Sequence, residues 1–208
     1  EKAGHEVNII DAIALALSKE EVDVRIKKFN PKIVGITAMT PTILGAFEAA
    51  KLAKENGALT VIGGVHMSIL PLETLQQDFV DFGIVGEAEE SLVELCNALE
   101  NNESYENIKA LCYKKDGRII VGQPEYIADV DSLSMPAWHL LPMEKYSSII
   151  GLHPTSTMMG SRGCPYLCGF CYKTPSDKKY RTRSVEKIVD EMEYLIENFG
   201  LKEIMFYD

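Results

Sequence analysis

No stretch of this chain approaches the roughly 20 consecutive apolar residues that a membrane-spanning helix requires, so no transmembrane segment is expected. The start, Glu1-Lys2-Ala3-Gly4-His5, has neither an initiator Met nor the apolar centre of a secretory signal. The chain is therefore expected to be the middle of a longer protein. An excess of positive charge is also missing. Lysine and arginine number 21 against 31 aspartates and glutamates, a net charge of −10. A phosphate backbone needs a basic face, so nucleic acid is not an expected partner. One local exception, Lys178-Lys179-Tyr180-Arg181-Thr182-Arg183, reads either as a solvated loop or as a contact for phosphate or carboxylate. The bias of disordered or fibrous chains is absent too: 46% of residues are hydrophobic and 25% charged, an ordinary globular balance. A length of 208 residues admits one large domain or two modest ones.

A disulfide framework is not expected either. The five cysteines are an odd number, and an odd set in a chain without a secretory signal points to a reducing, cytoplasmic compartment. Three of them, Cys164, Cys168 and Cys171, fall within eight residues. Such clustering suits ligation better than pairing.

What is present is an alternation of strand and helix signals. Val7–Ile10 reads as a short strand. Ser18-Lys19-Glu20-Glu21 has the form of a capping box and opens a helix with Val22, Ile26 and Phe29 on one face. Lys32–Ala38 is a continuous apolar run suited to a strand buried on both faces. Thr40-Pro41 reads as an N-cap followed by Pro at the first helical position, and the helix continues to Gly57. A strand at Leu59–Ile62 closes on Gly63-Gly64. A short helix around Leu72–Gln77, a strand at Phe82–Gly86 and a helix at Glu89–Leu99 follow. Repeated βα units of this kind predict a Rossmann-like doubly wound parallel sheet, here with its first strand missing. A hairpin is expected over residues 108–122, turned at Asp116-Gly117. The proline-rich stretch 126–152 reads as an ordered linker, with Trp138 and Tyr146 as anchors. The pattern then restarts: strand Thr155–Gly160, loop 161–183, helix Ser184–Asn198, strand Lys202–Tyr207. The expected organisation is thus a domain at 1–125, a linker at 126–152 and the beginning of a second domain at 153–208.

The loop between strand and helix reads Gly160-Ser161-Arg162-Gly163-Cys164-Pro165-Tyr166-Leu167-Cys168-Gly169-Phe170-Cys171-Tyr172, a CxxxCxxC pattern. Thiolates are soft ligands for iron–sulfur clusters and zinc. A cubane cluster normally takes four cysteines, so three close ones leave one iron open, by the logic that separates a catalytic from a structural zinc site. The other readings are a structural zinc with a fourth ligand such as His153 or Cys112, or three unrelated buried cysteines.

This loop resembles the signature of the radical S-adenosylmethionine (SAM) superfamily, including Phe170 before the third cysteine and the position after the first barrel strand. The resemblance implies that Cys164, Cys168 and Cys171 hold a 4Fe-4S cluster. Its open iron would bind S-adenosylmethionine, which is reductively cleaved to a 5′-deoxyadenosyl radical. It also implies a partial (β/α) barrel, a reductant such as flavodoxin or ferredoxin, and a small-molecule or lipid-like substrate. Asp208, ending the second barrel strand, stands where the family often meets the SAM amino group. The leading domain resembles the cobalamin-binding domain that precedes the barrel in one subgroup. The segments that carry this are Gly4-His5-Glu6-Val7, Val34-Gly35-Ile36-Thr37, Thr40-Pro41-Thr42, Gly63-Gly64-Val65-His66, Gly86-Glu87-Ala88-Glu89 and the linker Asp131–Ala137. Thr40, Gly63 and Gly64 are the expected cobalamin contacts. The DxHxxG motif that supplies a cobalt-ligating histidine elsewhere is absent, so no cobalt ligand is assigned, and His5 and His66 read equally well as turn histidines. The implied activity is methyl transfer to an unreactive carbon, or a cyclisation or rearrangement. Alternatives are a radical SAM enzyme whose leading domain binds no cobalamin, a methylthiotransferase, which the cysteine-free turn Thr37–Pro41 disfavours, and a non-catalytic iron–sulfur or cobalamin module.

Overall fold

The computed structural model describes residues 1–149, 151–171 and 179–208. It divides into two units: Glu1–Val7 with Leu17–Tyr126, and Asn8–Ala16 with Ile127–Asp208.

The first unit is built on a five-stranded sheet. Strands β1 (Ile33–Thr37), β2 (Leu59–Gly63) and β3 (Phe82–Ile84) are parallel neighbours, and β4 (Leu111–Lys115) and β5 (Arg118–Ile120) add an antiparallel hairpin beyond β3. The fold is the expected Rossmann-like α/β class. The described strands run in simple sequence order, so the reversal of a doubly wound sheet does not occur among them. Helices α1 (Lys19–Phe29), α2 (Ile43–Glu55), α3 (Val65–Ile69), α4 (Pro71–Leu75) and α5 (Glu89–Asn101) link or flank the strands. The core gathers Val61, Ile62, Met67, Leu75, Ile84, Leu95 and Leu111.

Local chemistry accounts for the element ends. The Ser18 hydroxyl accepts from the Glu21 amide while the Glu21 carboxylate accepts from the Ser18 amide, completing the capping box of α1. Asn30, at φ 51°, ends that helix in the left-handed region. Asp116 and Gly117 both have positive φ, 51° and 73°, as a two-residue primed hairpin turn requires.

Three expectations change. Lys32–Ala38 is not buried on both faces: β1 has β2 as its one neighbour among the described strands, and Ile33, Val34 and Ile36 are only half-buried. Val7–Ile10 forms no strand. It has no regular secondary structure and no ladder partner among the described residues, and Asn8–Ala16 groups with the second unit, where the Tyr146 hydroxyl donates to Asp11 Oδ2 at 2.8 Å. Thr40 is not the N-cap of α2. A 3-10 turn over Thr40–Thr42 precedes the helix, and the Thr42 hydroxyl takes the Met39 amide at 3.1 Å, leaving Thr40 for another contact.

The second unit pairs β6 (Thr155–Met158) with β9 (Glu203–Phe206) in parallel, crossed over by α6 (Val185–Phe199). The stretch expected as one loop, 161–183, is pinched at its base by two short antiparallel strands, β7 (Ser161–Arg162) and β8 (Arg181–Thr182). The expected linker packs into this unit: Trp138 and Met143 join Met158, Leu195 and Leu201 in its core. Of the apolar stripe on α6, Leu195 is buried, whereas Val185, Val189 and Ile196 are exposed.

The expected basic cluster is largely structural. Lys178 lies outside the described residues. Arg181 is buried and donates to the Ile127 carbonyl at 2.6 Å. Arg183 lies 2.6 Å from Glu191 Oε2 as an ion pair that lacks hydrogen-bond alignment, and it also donates to the Met159 and Lys187 carbonyls. Glu191 is buried, and its Oε1 accepts from Trp138 Nε1 at 3.0 Å. Removing one partner of such a pair leaves an uncompensated buried charge, which costs roughly 3–5 kcal/mol. Arg183→Ala is therefore expected to destabilise by about that amount, and Glu191→Gln, which keeps an acceptor for Trp138, by less. Urea unfolding followed by the fluorescence of Trp138 measures both, and equal effects would contradict this account.

Candidate functional site

In the first unit the parallel register brings three turns together. Pairing of Thr37 with Gly63 and of Ile62 with Gly83 sets the carboxyl ends of β1, β2 and β3 side by side. Ligands of open α/β sheets bind at such ends. Hydrogen bonds tie the turns to one another. The Ala38 amide donates to the Gly63 carbonyl, and the His66 amide donates to the Ala38 carbonyl, both at 3.1 Å. The Ser68 hydroxyl donates to the Gly64 carbonyl and accepts from the Gly86 amide.

Gly63 and Gly64 do different work. A Cβ on Gly63 would meet open space, so its backbone can be approached closely. Gly64 sits at φ +89°, and a Cβ there would lie 2.7 Å from the Ala38 carbonyl oxygen. Thr40 is exposed at the β1 end, with its Oγ1 3.2 Å from His66 Nδ1. His66 is 1% exposed, and its Nε2 has no hydrogen-bond partner among the described residues. A buried, unpaired imidazole nitrogen is unusual enough to require a reason. The turns that carry Thr40, Gly63 and Gly64 thus lie side by side. Sequence reasoning missed Ser68 and left His66 open; the spacing Gly64-x-His66-x-Ser68 over one short helix was the available signal. His5 is elsewhere, against Asn97 and Glu100 on α5.

In the second unit the cysteine loop leaves β6 at its carboxyl end. Cys168 and Cys171 are exposed and Cys164 is half-buried. The Cys171 amide donates to the Cys168 carbonyl at 3.0 Å, a turn that closes the CxxC pair. The three thiols are not drawn into one ligand set: among the described residues no three His, Cys, Asp or Glu side chains stand close enough to hold a metal ion. Phe170 is 94% exposed beside Cys171. Asp208 Oδ1 accepts from the Gly160 and Ser161 amides at 2.7 and 3.0 Å. The other two cysteines are set apart by burial. Burial pushes the Cys112 thiol up, and Cys112 Sγ accepts from the Gly122 amide inside the first unit's core. Burial, then the Glu100 carboxylate, raises Cys96. Neither environment favours the thiolate form that metal ligation uses.

Fold and site together define a class: a Rossmann-like unit with a glycine-lined cradle at its strand ends, joined to a strand–cysteine loop–helix–strand unit. The B12 binding domain family matches residues 1–96. An uncharacterized methyltransferase of Pyrococcus horikoshii is 37% identical over 98% of this chain and 45% of its own length. The anaerobic magnesium-protoporphyrin IX monomethyl ester cyclase of Cereibacter sphaeroides is 33% identical over 96% of this chain and 34% of its own. Among solved structures, the radical SAM methyltransferase TsrM of Kitasatospora setae, with cobalamin and a 4Fe-4S cluster bound, superposes at TM-score 0.74. The identity is 19%, over 100% of this chain and 42% of that one. The cobalamin-dependent radical enzyme OxsB superposes at TM-score 0.77 with 21% identity, over 92% and 27%. The chain thus carries a match to the B12 binding domain family over residues 1–96 and is similar along nearly its whole length to a named methyltransferase and a named cyclase. It spans less than half the length of these relatives.

The donor chemistry of the residues fits cobalamin and an iron–sulfur cluster. The open backbone at Gly63 and the buried His66 Nε2, unpaired among the described residues, suit a cobalamin slot. Three thiols close in sequence are soft donors suited to an iron–sulfur cluster, although they do not converge on one point in this structure.

The two glycines predict different outcomes. Gly64→Ala forces a side chain into positive φ and against the Ala38 carbonyl and should destabilise by roughly 1–3 kcal/mol. Gly63→Ala should leave stability nearly unchanged. Denaturant midpoints of the two variants check this; a harmless Gly64→Ala would contradict it.

Proposed function

We propose that this chain is the cofactor-bearing part of a cytoplasmic, cobalamin-dependent radical SAM enzyme. The reaction would be methyl transfer to an unreactive carbon, or a cyclisation or rearrangement, on a small-molecule or lipid-like substrate. One observation carries the reading: a single chain joins a glycine-lined cradle at the ends of parallel strands to a CxxxCxxC loop at the end of another parallel strand. Support comes from the family match over residues 1–96 and from relatives named as methyltransferases and a cyclase.

Cys164, Cys168 and Cys171 would hold a 4Fe-4S cluster, and Thr40, Gly63 and Gly64 would contact cobalamin. When bound, these groups supply a reductive cleavage of S-adenosylmethionine and a methyl carrier, with a flavodoxin or ferredoxin as electron donor. The chain's own residues bind and orient. Gly63 leaves its backbone open to a bulky ligand, and Thr40 presents its hydroxyl at the mouth of the cradle. His66 keeps an Nε2 that finds no partner among the described residues and would be open to the ligand. Phe170 offers an apolar ring beside Cys171, where it would shield the nucleoside of S-adenosylmethionine from water. In Asp208 Oδ1 already carries two amide bonds, which leaves Oδ2 to meet an ammonium group. No helix among the described residues is long and apolar enough to cross a membrane, and the acidic balance of the chain gives no reason to expect nucleic acid.

Anaerobic reconstitution of the full-length protein should give about four irons per chain, and Cys168→Ala should abolish the iron while Cys112→Ala spares it. A folded preparation that holds zinc and refuses iron would end the radical SAM reading. The same protein should retain cobalamin on gel filtration, and Gly63→Val should release it. Failure of the unsubstituted protein to retain cobalamin would favour a leading domain that binds none.

A further inference from the structure

We propose that Asp208 is a positioning residue for the cysteine loop: its carboxylate fixes the entrance of the loop and so places the first cysteine. The proposal deepens the cluster reading above and rests on it for the role of the cysteines, not for the geometry.

The argument starts from the strand pair. β6 and β9 run in parallel register to Met158 and Phe206, and the Tyr207 amide then donates to the Met158 carbonyl at 2.8 Å. The ladder ends there. Gly160 and Ser161 are buried, so their amides still need acceptors. Asp208 Oδ1 accepts from both, at 2.7 and 3.0 Å. Charge-assisted bonds from backbone N–H to carboxylate are stronger than neutral ones, and two on one oxygen hold two successive peptide planes. The fit is close: a Cβ on Gly160 would lie 3.2 Å from Asp208 Oδ2.

The opposite side of the same segment is held by Arg183. Its amide donates to the Gly160 carbonyl at 2.9 Å, and its guanidinium donates to the Met159 carbonyl at 3.1 Å. The β7–β8 pairs, Ser161 with Thr182 and Arg162 with Arg181, close the base. Residues 159–161 are thus held from both sides, whereas Cys168 and Cys171 are exposed. Cys164 follows Ser161 by three residues, a reach of about 10 Å at full extension. The position of Ser161 therefore bounds where the first thiol can lie. A residue whose purpose was only to meet an ammonium group would not need to bond the two amides that begin the loop.

The test uses the full-length protein with Asp208→Ala and Asp208→Asn. Amide hydrogen exchange in the cluster-free protein reads the geometry alone. Asp208→Ala should raise exchange at Gly160 and Ser161 by tenfold or more, and Asp208→Asn, which keeps an oxygen acceptor, should restore much of the protection. After anaerobic reconstitution, Asp208→Ala should lower iron content or shift and broaden the resonance of the reduced cluster before any S-adenosylmethionine is added. Unchanged exchange together with an unchanged resonance, and loss confined to the S-adenosylmethionine-induced spectral change, would overturn the proposal and make Asp208 a direct contact of that molecule. If the unsubstituted protein takes up no iron, the cluster reading fails by itself, and the exchange data still decide whether Asp208 holds the loop.

Discussion

Parallel pairing of strands is the constraint on which both candidate sites depend. Parallel strands point their carboxyl ends the same way, so the turns that leave them stand side by side whatever their separation in sequence. The register of β1 and β2 puts Thr37 beside Gly63 and so brings the Thr40 turn to the Gly63-Gly64 turn. The register of β6 and β9 puts Met158 beside Phe206 and so brings Asp208 to Gly160. A one-residue slip in either pair would separate these partners and turn alternate side chains to the other face. The chemistry is carried by turns, but its geometry is set by the ladders behind them.

Polar groups reinforce that geometry where the ladders stop. In the first unit the Ser68 hydroxyl links the Gly64 carbonyl to the Gly86 amide, binding two strand ends through one side chain. In the second, the Asp131 carboxylate takes the Ser184 amide with both oxygens, and bonds from the Ser184 side chain and backbone hold Asp131 below the usual carboxylate range. Ser184 in turn caps α6 by accepting from the Lys187 amide. Trp138 and Arg183 then meet on the buried Glu191. The stretch that reads as a linker in sequence is thereby committed to the second unit, which explains why an apparently connecting segment carries a tryptophan.

Much of this was legible in the residues, for local reasons. Ser18 and Glu21 satisfy each other's backbone within one turn, and Asp116-Gly117 accepts positive φ with little strain, so both features could be read without tertiary context. The cysteine spacing was equally plain, because ligand identity and separation are properties of sequence. The failures were not local. Val7–Ile10 has strand-like residues but lacks a neighbour to pair with. Lys32–Ala38 is apolar enough for an interior position yet stands at an edge among the described strands. Thr40 looked like a cap, but Thr42 stands at the N-cap of α2 with its hydroxyl bonded back to Met39, and Thr40 turned to a histidine 26 residues away.

By itself the sequence determined the alternation of strands and helices, the sites of their caps and turns, and a triad of thiols suited to a soft metal centre. These follow from short-range sterics, hydrogen bonding and donor chemistry. Tertiary structure alone decided that Asn8–Ala16 joins the second unit, that His66 is buried with one nitrogen unpaired among the described residues, and that Asp208 bonds the amides of Gly160 and Ser161. Each of these depends on which distant backbone lies alongside, and that is settled by strand register and burial, which no short window of residues contains.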